Sequence, residues 1–169
     1  MNDPKLYILC VEDETDVLDA ILRDLGPFEA CFQLEGFSSA QEAGAWIDGL
    51  DPEADRVALI YCDHVMPGQR GVDFMSELQR RENPVLKGTR KVLFTGQAGH
   101  QETIAAINEA GICHYQAKPW EPDELLRLTR QLLTDFVLSE TIPPLPYMSQ
   151  LDQARVVEHL HGNNPFQDA

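Results

Sequence analysis

Basic residues are scarce in this 169-residue chain: 13 lysines and arginines stand against 28 aspartates and glutamates, a formal net charge of −15. A surface so acidic repels nucleic acid and anionic lipid over most of its extent, so no direct nucleic-acid binding is expected. One local exception runs from Arg80 to Lys91, where Arg80, Arg81, Lys87, Arg90 and Lys91 gather. The cysteines are few and scattered. Cys10, Cys31, Cys62 and Cys113 form no CxxC pair and have no metal-type spacing. Cys10, Cys31 and Cys62 fall in apolar, strand-like runs, where a free thiol behaves as a small hydrophobe, and a reducing cytoplasm is the expected setting. No apolar run approaches the ~18 residues that span a bilayer, so no membrane association is expected. The opening Met1-Asn2-Asp3-Pro4-Lys5 lacks the basic and apolar regions of a signal peptide. Helix-turn-helix, diguanylate cyclase, HD-type metal and kinase signatures are also missing, so no output module is identified. His64, His100 and His114 are isolated, and His159 and His161, two residues apart, suit no helical metal pair.

The chain does contain alternating short apolar runs and longer helical patterns, the mark of βαβ units with a parallel sheet. Tyr7–Val11 reads as a buried strand, followed by a helix with Val17, Leu18, Ile21, Leu22 and Leu25 on one face and a stop at Gly26-Pro27. Cys31–Phe37 reads as a second, weaker strand, and Ser38 or Ser39 can cap a helix carrying Ala43, Trp46, Ile47 and Leu50. Val57–Cys62 forms a third strand that runs into Asp63. A helix over about Val72–Arg81 follows, then a strand at Lys91–Phe94, and then a helix with Ile104, Ile107 and Ala110 that ends at Gly111. A short strand at His114–Ala117 precedes a fifth helix, acid-rich in its first turn, that runs to about Leu138. Residues 5–138 thus form one domain of five βα units. Residues 139–169 form a tail or linker, in which Pro143, Pro144 and Pro146 break the helix and a short helix could carry Leu151, Ala154, Val157 and Leu160. The fifth helix has more apolar residues than one side of a sheet needs, so the tail is expected to cover the surplus, on its own domain or on a second copy.

In an open parallel sheet, sites form beyond the carboxyl ends of the strands. Glu12 and Asp13 follow the first strand and Asp63 the third. If those strands are neighbours, three carboxylates converge, and a hard divalent cation with oxygen ligands relieves their repulsion. Thr95 ends the fourth strand and Lys118 the fifth. Carboxylates, a hydroxyl and an ammonium on one rim form a phosphoryl-handling set, with one carboxylate as nucleophile and the other groups facing phosphoryl oxygens.

Taken together, Glu12-Asp13, the run from Asp63 to Gly71 (DHVMPGQRG), Thr95-Gly96, Tyr115 and Lys118-Pro119 resemble the motif set of two-component response-regulator receiver domains. The resemblance covers about residues 5–138 in order and spacing. It implies a doubly wound (βα)5 flavodoxin-like α/β fold with a parallel sheet in the order 2-1-3-4-5. It also implies that Asp63 is the phosphoacceptor, and that Asp13, Asp63 and the backbone carbonyl of Val65 hold Mg2+ (or Mn2+), with Glu12 acting through water. Thr95 and Lys118 would stabilise the phosphoryl group, Thr95 and Tyr115 would form the switch, and Pro119 would follow a cis bond. The implied partners are a sensor histidine kinase or phosphotransfer protein and, in a homodimer, a second copy through the face of the fourth helix, fifth strand and fifth helix or through the C-terminal tail. Activity would be limited to the chain's own phosphorylation and dephosphorylation. Arg70 departs from the acid the family often places before this glycine, and Val65 and Gln97 stand where the family tunes dephosphorylation. The stretch Phe94–Trp120 resembles receivers attached to cyclic-dinucleotide enzymes. Two alternatives stay open: a receiver-like interaction module that is not phosphorylated, and an aspartate-nucleophile phosphatase of the haloacid dehalogenase type. The latter needs an acid where Val65 stands.

Overall fold

The computed structural model describes residues 3–96 and 108–163. Its five strands, β1 (Lys5–Val11), β2 (Gln33–Phe37), β3 (Asp55–Asp63), β4 (Arg90–Thr95) and β5 (His114–Ala117), form one all-parallel sheet in the order β2-β1-β3-β4-β5. This is the doubly wound arrangement expected. Between the strands run α1 (Thr15–Leu25), α2 (Ala40–Asp48) and α3 (Gly71–Arg80). α4 is described only over residues 108–110, and Gly111 follows it at φ +65°. The expected core positions Ile104 and Ile107, together with Gln97 and His100, lie outside the described residues. α5 (Pro122–Ser139) and α6 (Gln153–Gly162) complete the chain.

Strand alternation divides the core into two layers. Leu6, Ile8, Cys10, Tyr61, Val92 and Phe94 face α1 and α5, whereas Leu9, Val11, Ile60, Cys62 and Leu93 face α2 and α3. The register of β3 against β1 slips by one residue between Tyr7 and Ile8, and this bulge sends Ala58 and Leu59 to the same layer. Ser39 is the cap of α2. Its hydroxyl accepts the Glu42 amide at 3.1 Å, while the Glu42 carboxylate accepts the amide of Ser38, one residue before the cap, at 3.1 Å.

Two expectations require correction. β2 begins at Gln33, two residues later than expected, because the chain leaves α1 through a 3-10 turn over Gly26–Ala30 whose Phe28 carbonyl accepts the amides of Cys31 and Phe32. Cys31 therefore lies before the strand, half-buried, with its Sγ 3.4 Å from the Ser149 hydroxyl. The tail helix also turns a different face inward. Leu151 and Val156 are buried, but Val157 and Leu160 are 43% and 48% exposed. The anchors of α6 set this rotation. Asp152 caps it and donates its amide to the Thr134 hydroxyl (2.9 Å), and Arg155 pairs with Asp135 (2.6 Å), which points the next residue, Val156, at α5. Ile142, Tyr147, Leu151 and Val156 all join the α1/α5 layer, and the Tyr147 hydroxyl donates to the Pro4 carbonyl at 2.6 Å. Each such side chain contributes roughly 1.5–3 kcal/mol by burial, so the tail belongs to the core. No described helix is long and apolar enough to cross a membrane.

Candidate functional site

Strand register assembles the site. Val11 is paired with Cys62, so Glu12 and Asp63, the next residues along, stand side by side at one rim. Asp63 is paired with Phe94, which puts Thr95 one step beyond it. Thr95 is paired with Ala117, and its carbonyl accepts the Lys118 amide at 3.0 Å, bringing Lys118 to the same rim. All four residues lie at or just past the carboxyl ends of neighbouring strands.

Lys118 bridges the acids. Its Nζ lies 2.5 Å from Glu12 Oε2 and 3.0 Å from Asp63 Oδ1. Glu12 is 0% exposed and Asp63 7%. Burial pushes the Glu12 carboxyl above its usual range, and the bonds from Lys118 and the Glu14 amide only partly offset it. Burial by itself would lower the Lys118 ammonium, but the two carboxylates outweigh it and hold the pKa up. Carboxylate oxygens of Glu12, Asp13 and Asp63 lie within 4.8 Å of one another. One of them, Asp13 Oδ1, is buried and has no hydrogen-bond partner among the described residues. A buried carboxylate oxygen left without a donor costs free energy unless a cation faces it. Hard oxygen donors gathered around such an atom therefore suit a magnesium-type ion.

The remaining expected residues take these positions. The Thr95 side chain is buried at the end of β4, and Tyr115 is half-buried on β5, packed against the α2/α3 layer. The Lys118–Pro119 peptide is cis. The Val65 side chain is exposed, while its neighbour Met66 is buried. Arg70 pairs with Asp73 at 2.9 Å.

Two contributors escaped the sequence reading. A Cβ on Gly71 would lie 2.2 Å from the Asp63 carbonyl oxygen and 2.9 Å from Leu93 Cδ1, so glycine is what lets α3 start against the Asp63 backbone. Trp120 holds the segment after Lys118, since its Nε1 donates to Asp24 at 2.9 Å and its ring packs on Phe94 at 5.2 Å. The glycine at the end of the DHVMPGQRG run was the available signal for the first. The second joins residues 96 apart and left no local signal.

A profile of the response regulator receiver domain matches residues 8–130, and the chain belongs to that family. It is 36% identical over 131 residues to the hydrogenase transcriptional regulatory protein HoxA of Cupriavidus necator. That alignment takes in 78% of this chain but 25% of HoxA, so the chain spans about a quarter of that relative. Among solved structures, the signal receiver domain of an HD domain-containing protein from Pseudomonas fluorescens Pf-5 superposes with a TM-score of 0.65 at 25% identity, over 76% of this chain and 94% of that one. The chemotaxis protein CheY4 of Vibrio cholerae shares the fold, with a TM-score of 0.62 at 20% identity over 74% and 96% of the two chains. The chain is thus a receiver domain of phosphorelay signalling, a family whose members interact with histidine kinases or phosphotransfer proteins. The family match sets the phosphatase alternative aside.

Proposed function

We propose that Asp63 accepts the phosphoryl group, and that Asp13, Asp63 and the Val65 backbone carbonyl hold a Mg2+ or Mn2+ ion, with Glu12 bound to it through water. The carrying observation is Asp63 Oδ1 at 3.0 Å from Lys118 Nζ, beside a buried Asp13 oxygen that no described residue satisfies. The ion would supply charge neutralisation at the phosphoryl oxygens. An Asp63 carboxylate oxygen attacks the phosphorus of a phosphohistidine donor, the P–N bond breaks, and the imidazole leaves with its electron pair and takes up a proton. Lys118 moves its hydrogen bond from Asp63 to a phosphoryl oxygen, and the Thr95 hydroxyl donates to another. Tyr115 turns into the space Thr95 vacates, changing the face built from α4, β5 and α5. Such contacts, present only in the phosphorylated state, are what a population shift requires. Four free cysteines fit the reducing cytoplasm in which this exchange would run. If the reader of that face is a second copy, phosphorylation doubles the mass in light scattering.

The test is labelling by acetyl phosphate with magnesium, followed by mass spectrometry. The parent gains one phosphoryl group and Asp63→Asn gains none. Equal labelling of both would remove Asp63 as the acceptor, and a parent that takes no label from acetyl phosphate or a kinase would make the chain an interaction module.

A further inference from the structure

At the opposite end of β4 from Thr95, a cavity of about 610 Å³ opens beside Arg90 and Lys91. At ~3.3 Å of rise per residue, the five steps of β4 separate it from the acidic rim by roughly 16 Å. Its charge is reversed relative to the rest of the molecule. Arg81, Lys87, Arg90 and Lys91 line it, and Glu82 is the one acid among its lining residues, in a chain of net charge −15. Arg81 is already committed to Asp48 (2.9 Å) and Glu77 (2.7 Å). Lys87, Arg90 and Lys91 have no carboxylate partner among the described residues.

The two cations beside the strand are incompletely satisfied. Arg90 donates from one terminal nitrogen to the Ser139 hydroxyl at 3.0 Å, but its Nε is buried and has no partner among the described residues. Lys91 is 3% exposed, and its ammonium donates only to neutral acceptors, the Gln79 side chain and the Ala110 carbonyl. Lysine is almost never so buried without a counter-charge. Burial lowers the Lys91 pKa to about 8, and no carboxylate acts to raise it. With Arg81 held by Asp48 and Glu77, and the nearby Glu140 held by Arg56, the lining cations Lys87, Arg90 and Lys91 outnumber Glu82.

We propose that this cavity binds a small phosphate-type anion, whose two negative charges supply the counter-charge that Arg90 and Lys91 lack. No aromatic side chain lines it, so nothing stacks a nucleobase, and recognition rests on the phosphate group itself. Because Lys91 also holds the Ala110 carbonyl at the end of α4, an anion here bears on that helix from the side opposite Asp63. The proposal is independent of phosphorylation at Asp63.

Amide NMR titrations with inorganic phosphate, pyrophosphate and ADP test it, run at constant ionic strength with a chelator so that the metal-free acidic rim repels anions. Shifts should cluster at residues 86–91 and 111–113, and alkylation of the exposed Cys113, which lines the cavity, should slow at saturation. Lys87→Ala combined with Arg90→Gln should weaken binding at least about tenfold, as expected for loss of charge-assisted hydrogen bonds, while Asp63→Asn leaves it unchanged. ADP should bind no more tightly than pyrophosphate, and tighter ADP would overturn recognition by the phosphate group alone. Absent shifts, shifts centred elsewhere, or a double variant that binds like the parent would overturn the proposal. If Lys91 only staples α4, the parent shows no anion-dependent protection of Cys113, and the proposal fails on that reading alone.

Discussion

Replacing Lys118 with methionine removes the cation that bridges Glu12 and Asp63 at 2.5 and 3.0 Å. Glu12, fully buried, then has no counter-charge, and Asp63 and Asp13 repel it. Loss of one partner of a buried pair typically costs about 3–5 kcal/mol. Glu12 has an escape, however, because it can take a proton. At pH 7 that costs about 1.4 kcal/mol for each unit above its ordinary value of 4.5, a ceiling of about 3.4 kcal/mol for its share. The variant should therefore be about 3 kcal/mol less stable than the parent at pH 7 in a chelator. The sign follows from linkage. An acid whose folded pKa is raised contributes stability that is present below its unfolded value and lost as pH rises through the folded one. Without Lys118 the Glu12 value rises further, so the deficit is largest at neutral pH and shrinks towards pH 4.5 as Glu12 protonates in both proteins. Millimolar magnesium should narrow the gap at pH 7, since an ion bound only by the folded state stabilises it by mass action. Urea unfolding followed by circular dichroism at pH 7, 6 and 5, with and without magnesium, measures all of this. A deficit that is the same at pH 5 and pH 7, or below about 1 kcal/mol at pH 7, would refute the account of a dry carboxylate held by Lys118.

Thr95→Ala should still accept phosphate at Asp63 but lose the change in amide exchange on α5 and β5 that a phosphate mimic causes in the parent; equal responses in both would remove Thr95 from the switch. Gly71→Ala should cost about 1–3 kcal/mol, because its new methyl group meets the Asp63 carbonyl at 2.2 Å, and should slow phosphorylation by displacing that backbone. Denaturant titration and labelling rate measure the two effects, and a fully active, stable variant would contradict the packing. In the tail, Leu151→Ala should lose about 2–4 kcal/mol and Val157→Ala almost nothing in the same titration, the reverse ranking being incompatible with the observed packing of the tail.

Much of the molecule was readable along the chain because strands in a parallel sheet announce themselves as apolar runs. Val57–Cys62 could only be a buried strand, and the acid directly after it had to stand at a carboxyl rim. The same logic placed Glu12, Thr95 and Lys118 at strand ends, and residue type then named the chemistry. Local pattern misled where a competing contact decided the outcome. The apolar spacing of Leu151, Ala154, Val157 and Leu160 describes a plausible stripe, yet Asp152 and Arg155, anchored on Thr134 and Asp135, rotate the helix so that Val156 faces inward. Cys31 looks like strand, but the Phe28 carbonyl captures its amide and holds it in a turn.

Residue order by itself determined the alternation of elements, the identity of the rim residues and the excess of acid, since these depend on side-chain chemistry and local period. Only the tertiary structure decided which carboxylate is dry and which is open, because that depends on pairing between distant strands. The β1–β3 register sets Glu12 beside Asp63, and β5 delivers an ammonium from 106 residues away to the buried Glu12 oxygen. The same folding gathers Arg90 and Lys91, part of the basic run from Arg80, at a cavity where neither is paired with a carboxylate among the described residues. Charge balance in a folded protein is settled by contacts across the sheet, and neighbours along the chain carry no record of it.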